Sequence, residues 1–140
     1  MPVRVRWHGV LVADTGALST PEVFATLDRM RAEGAAPTVR ESELEVPAGL
    51  LRALAEGESA VGGEALANDL QAPALQMSPE LRRRLDELEE LDARAMVSGS
   101  GPTIVALPRT SGHDDGAESS RVLAAQLRER GLCAVACTIG

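Results

Sequence analysis

Two apolar runs meet at Ser98-Gly99-Ser100-Gly101-Pro102, and this turn constrains the fold more than any other stretch of the chain. Residues 93–97 lead into it and residues 103–107 lead out, so the segment reads as two short strands folded back on one another. Two glycines separated by one residue admit positive φ and let the backbone approach a neighbour closely. Successive amides in such a turn can form a small anion-binding concavity. A hairpin turn that holds no ligand accounts for the same residues. Both readings remain open at this level.

The rest of the chain supplies the partners of that hairpin. Arg4 to Ala13 alternates at first and then runs apolar through Val10-Leu11-Val12-Ala13, as a strand covered more deeply at one end would. Ser19 or Thr20 caps a helix with Pro21 and Glu22 in its first turn, and the helix reaches about Glu33 before Gly34. Val23, Leu27 and Met30 form its apolar stripe, and Phe24 lies one step off it. By pattern alone Phe24 is a core residue at the margin of the stripe. Residues 35–47 are a proline-bounded connection, and residues 48–56 suggest a short helix. Asn68-Asp69 caps a further helical turn, the alternative for Asp69 being a metal ligand or a base. Ser78-Pro79-Glu80 opens a helix with Leu81, Leu85, Leu88 and Leu91 on one face. The last helix, residues 118–130, places Val122, Leu123 and Leu127 inward, and residues 132–139 form the final strand. The resulting order is α+β, a ferredoxin-like β-α-β-β-α-β antiparallel sheet with inserted helices.

Composition excludes several functions. At 140 residues and 44% hydrophobic, the chain can bury one core, so one domain over residues 1–140 is expected. A net charge of −7 argues against nucleic-acid backbone binding. Arg82-Arg83-Arg84, followed by Asp86, Glu87, Glu89 and Glu90, reads as a solvated, self-compensating helix face. All 14 basic residues are arginine, so P-loop lysine and Schiff-base lysine chemistry is excluded within these residues. No segment approaches the ~18–20 apolar residues that cross a bilayer, and the N-terminus lacks a signal-peptide core. No membrane and a cytoplasmic location are expected. Cys133 and Cys137, on one side of a strand roughly 13 Å apart, are too distant for a mutual disulfide and read as buried thiols. His8 reads as a half-exposed strand histidine, and His113-Asp114-Asp115 as a solvated loop.

Trp7-His8, Leu18-Ser19-Thr20-Pro21-Glu22-Val23-Phe24 and Asn68-Asp69-Leu70 precede the glycine turn in order. With them, the turn resembles the third conserved motif of the GHMP small-molecule kinases. The match covers that family's C-terminal half, with Gly9 where tryptophan is usual; the longer glycine-rich phosphate loop of the N-terminal half is absent from the sequence. The resemblance implies a GHMP kinase C-terminal-like domain, one wall of a cleft whose catalytic lysine and aspartate belong to a missing N-terminal kinase domain. In the branch these segments resemble, the reaction is ATP-dependent phosphorylation of a small-molecule cytidyl sugar alcohol in isoprenoid precursor biosynthesis. ATP and Mg²⁺ are then cofactors of the intact enzyme, with none expected for this chain alone, which should be inactive. The resemblance further implies that Thr20 and Phe24 meet the cytidine end of the substrate. It sets Ser98, Gly99, Ser100 and Gly101 near the phosphates, and it supplies no catalytic or metal-binding residue from these 140. The alternative is a free-standing ferredoxin-like ligand-binding or regulatory module without catalysis.

Overall fold

Turn and cap chemistry fixes where the elements begin. Ser78 Oγ accepts the Leu81 amide at 3.2 Å and Pro79 follows it, so the leucine-rich helix starts where a free amide is satisfied and a missing one costs nothing. The computed structural model describes residues 6–13, 16–38, 67–109 and 116–139, together with Val46, Ala48, Leu51, Arg52 and Ala55. The elements are β1 (Trp7–Ala13), α1 (Thr20–Ala32), α2 (Gln71–Met77), α3 (Pro79–Glu90), β2 (Ala93–Val97), β3 (Ile104–Pro108), α4 (Ala117–Glu129) and β4 (Cys133–Ile139). The short helix expected at 48–56 lies largely outside the described residues, as does the His113-Asp114-Asp115 loop. None of the helices among the described residues is long and apolar enough to cross a membrane.

The sheet order is β2-β3-β1-β4 with every neighbouring pair antiparallel. This is the ferredoxin-like plan, with α1 and α2 standing between β1 and the helix that leads into β2. One face of the sheet carries two rows of small and branched residues. Ala95, Ala106, Val10 and Ala136 form one row; Val97, Ile104, Val12 and Ala134 form the other. Alanine in these rows lets helices approach closely. α3 packs on β2, and α4 packs on β1, β3 and β4. Leu81, Leu85 and Leu88 on α3 and Leu123, Ala124 and Leu127 on α4 complete the core cluster.

Three expectations are corrected. Val122 is 46% exposed, and Ser120 and Ala124 are buried in its place. The inward stripe of α4 runs 120-123-124-127, which leaves position 122 about 150° from its centre on the helical wheel. The thiols are not buried: Cys133 is exposed and Cys137 half-buried, because they share the sheet face that the helices leave bare. The apolar run Val10–Ala13 likewise does not mark deeper cover at one end. Val10 and Val12 are buried, whereas Leu11 is 41% exposed and Ala13 is exposed.

Candidate functional site

The turn between β2 and β3 is tied down from within and from behind. The Ser98 amide donates to Thr103 O at 2.8 Å and the Gly101 amide to Ser98 O at 3.0 Å. The Gly101–Pro102 peptide is cis. Gly99 and Gly101 both hold positive φ, 57° and 78°, but their surroundings differ. A Cβ on Gly101 would lie 3.1 Å from Val97 Cγ1 and 3.2 Å from Leu18 Cδ1. One on Gly99 would meet nothing within 4 Å beyond its chain neighbours. Gly101 thus seats the turn on the core, while Gly99 presents bare backbone to open space.

The start of α2 braces this turn. Asn68 Nδ2 donates to Val97 O and to Gly99 O, both at 2.8 Å, while its Oδ1 accepts the Leu70 amide at 3.1 Å. Gln71 Oε1 accepts the Val97 amide at 2.9 Å. β2 is an edge strand, so the outward polar groups of Val97 have no ladder partner. Asn68 and Gln71 stand in for the absent strand. Asn68 does not cap the helix as expected, since the N-cap of α2 is Leu70 without a side-chain cap bond; it closes a local turn ahead of the helix and fixes the glycine turn. Asp69 instead turns outward, with a side chain 60% exposed and 3.3 Å from Arg31 Nη2, and ties the end of α1 to α2. Gln71 is a bracing residue that sequence reasoning missed. A lone glutamine at a helix start carries no signal of the strand end it will meet.

The start of α1 meets the turn from the other side. Ser19 occupies the N-cap position but makes no side-chain cap bond. Thr20 Oγ1 lies 2.8 Å from Ser100 Oγ, eighty residues away in sequence. One turn further along α1, Phe24 is 50% exposed, whereas Val23 and Leu27 on the adjoining stripe are 0% and 5% exposed. Thr26, at 2% exposure, fills out that stripe, its hydroxyl donating to Met77 Sδ at 3.5 Å and accepting from Arg29 Nη2 at 2.9 Å. Of the residues singled out from sequence, Thr20, Ser98, Gly99, Ser100 and Gly101 come together, with Phe24 on the same helix end. His8 does not join them: it is half-buried on β1, its Nδ1 3.1 Å from Thr138 Oγ1.

An antiparallel ferredoxin-like sheet whose glycine turn is clasped between two helix starts points to one class of domain. Residues 50–129 match the family model described as GHMP kinases C terminal, and the chain belongs to that family. Curated relatives bear a more particular name. The chain is 40% identical over 135 residues to the 4-diphosphocytidyl-2-C-methyl-D-erythritol kinase of Thermobifida fusca, a match covering 96% of this chain and 40% of that one. It is 44% identical over 102 residues to the kinase of the same name from Corynebacterium jeikeium, covering 72% and 28%. A crystal structure of 4-(cytidine 5'-diphospho)-2C-methyl-D-erythritol kinase superposes with a TM-score of 0.68 at 27% identity, over 100% of this chain and 46% of that one. The chain thus spans less than half the length of the relatives it matches.

Proposed function

We propose that this chain forms the substrate-facing C-terminal part of an ATP-dependent kinase that phosphorylates the 2-hydroxyl of 4-diphosphocytidyl-2-C-methyl-D-erythritol, a step in isoprenoid precursor biosynthesis. The observation that carries the reading is the Thr20–Ser100 hydroxyl pair. It joins the Ser-Thr-Pro helix start to the glycine turn, so groups suited to a nucleobase and groups suited to phosphate share one surface. The names of the curated relatives support the substrate.

In this reading ATP with its Mg²⁺ supplies the phosphoryl group that the substrate hydroxyl accepts. The chain's own part is to bind and orient. The bare backbone of Gly99 suits close approach by a phosphate oxygen, since no side chain stands in the way. Ser98 and Ser100 offer hydroxyl donors beside it, and Gly101 holds the turn in place. Phe24, half exposed beside a stripe whose Val23 and Leu27 are buried, offers its ring to the cytosine. These 140 residues contain no lysine to set beside the reacting hydroxyl, so the chain by itself does not transfer phosphate.

The test joins this chain to the preceding portion of the Thermobifida fusca kinase and follows ATP-dependent phosphorylation of 4-diphosphocytidyl-2-C-methyl-D-erythritol. Product from the joined protein and none from the chain alone is the expected result. Turnover by the chain alone overturns the division of labour. A folded joined protein that neither binds nor phosphorylates this substrate overturns the substrate assignment.

A further inference from the structure

Residues of α1, α2, α3 and α4 enter the core on one face of the sheet. Among the described residues no helix packs on the other face, which is bare at Leu11, Ala13, Cys133 and Val135 and half-covered at Trp7, Met96, Val105, Leu107 and Cys137; it is not the polar face that an antiparallel sheet turns to water. Met96, Val105, Leu11 and Val135 lie side by side across all four strands in one ladder row. Leu11 is 41% exposed and Val135 57% exposed. Leu107 leans over Gly9 in the next row, where a glycine Cβ would come within 2.9 Å of Leu107 Cδ2. Cys137 pairs with Gly9, and Cys133 with Ala13. One residue in four of this chain is charged, yet Arg94 is the single charged residue that the register places on this face among the described residues. The uninterrupted Val10-Leu11-Val12-Ala13 run is thus the sequence of a central strand apolar on both faces, only one of which the described helices cover.

What covers the other is indicated by connectivity. β1 is both a central strand and the earliest described element of the chain. The family match is to a C-terminal domain, and more than half the length of each relative lies outside the matched part. A polypeptide preceding β1 reaches the middle of the sheet beside Trp7, at the end of this bare face. We infer that the bare face is the seat of the kinase portion preceding β1, which lays an apolar layer on Leu11, Val105 and Val135. This rests on the proposed reading of the chain as part of a longer kinase.

The two cysteines, the only ones in the chain, report on that face directly. Thiol reactivity toward Ellman's reagent under native conditions is compared between this chain alone and the chain joined to the preceding portion of the Thermobifida fusca kinase. Any cysteines in the added portion are replaced, and kinase activity is measured on the same samples. Fast reaction in the chain alone and at least tenfold slower reaction in the joined protein is the expected result. A joined protein that phosphorylates its substrate while its thiols react as fast as before overturns the docking face and leaves the kinase reading intact. Slow thiols without phosphorylation do the reverse. Thiols slow in the chain alone that quicken on dilution assign the face to a second copy and also overturn the inference. If the joined protein does not fold, the Thermobifida fusca kinase with cysteines at the two aligned positions gives the same readout in a whole enzyme. Val135→Arg supplies a second measurement: it should lower the melting temperature of the joined protein by several degrees and leave that of the chain alone within a degree. Equal shifts count against docking.

Discussion

Gly99 and Gly101 look alike in sequence, with one residue between them, yet the structure gives them different work. Both hold left-handed φ, which costs an alanine about 1–2 kcal/mol. Gly101→Ala adds contacts of 3.1 and 3.2 Å against Val97 and Leu18, whereas Gly99→Ala adds none. Urea unfolding of this chain should therefore show the larger loss for Gly101→Ala, and equal losses would mean the turn shifts freely away from the core. Phe24 is the complementary case, a large apolar residue that adds little to the fold. Phe24→Ala should leave stability within about 0.5 kcal/mol. In the joined kinase it should weaken substrate binding roughly 5- to 150-fold, the equivalent of ~1–3 kcal/mol of base stacking. A KM unchanged by the substitution would return Phe24 to a surface role. Helical spacing put Phe24 one step off the stripe but read it as a core residue at the margin, which its 50% exposure corrects.

Among the elements, the brace between α2 and the end of β2 is the feature most open to test. Asn68 gives both amide hydrogens to carbonyls, so Asn68→Asp turns a carboxylate toward two acceptors. Its cost should exceed that of Asn68→Ala, which leaves the same carbonyls short of a donor at about 1–3 kcal/mol. Gln71→Glu keeps the acceptor that the Val97 amide needs and should be milder than Gln71→Ala. Thermal denaturation of the four variants checks the order, and a harmless Asn68→Asp would mean that Asn68 makes no use of its amide hydrogens. The helices separate in the same way. Leu88 is fully buried on α3, so Leu88→Ala should cost about 2–5 kcal/mol. Val122, at 46% exposure on α4, should tolerate alanine within about 0.5 kcal/mol. The Ser78-Pro79 start of α3 was readable because a capping hydroxyl and its target amide lie three residues apart. The brace was not, since its partners are 26 to 31 residues apart.

For the molecule as a whole, the bare sheet face matters most. An apolar face of this kind binds hydrophobic dyes when it meets water. Anilinonaphthalene sulfonate fluorescence should rise with this chain and fall when Leu11 and Val135 are both changed to arginine. A wild-type chain that leaves the dye dark would mean that the face is covered by the chain itself. The helix-covered face and the bare face come from the same strands, their residues alternating one by one. The Arg82-Arg83-Arg84 run shows a related subtlety. Arg83 and Arg84 pair with Glu80, and Arg84 also with Glu87, which matches a self-compensating helix face. The Arg84 side chain is nonetheless only 14% exposed, where the run was expected to be solvated.

Local chemistry in the sequence determined the elements and their order. Caps, prolines and apolar periods act over three to seven residues, and the strand-helix order they set permits few sheets besides the ferredoxin-like one. Only the tertiary structure decided which hydroxyl Thr20 would meet, how Asn68 and Gln71 would finish an edge strand, and which side of the sheet would stay bare. Those outcomes depend on groups brought together from distant parts of the chain, and periodicity within a single element carries no record of its neighbours.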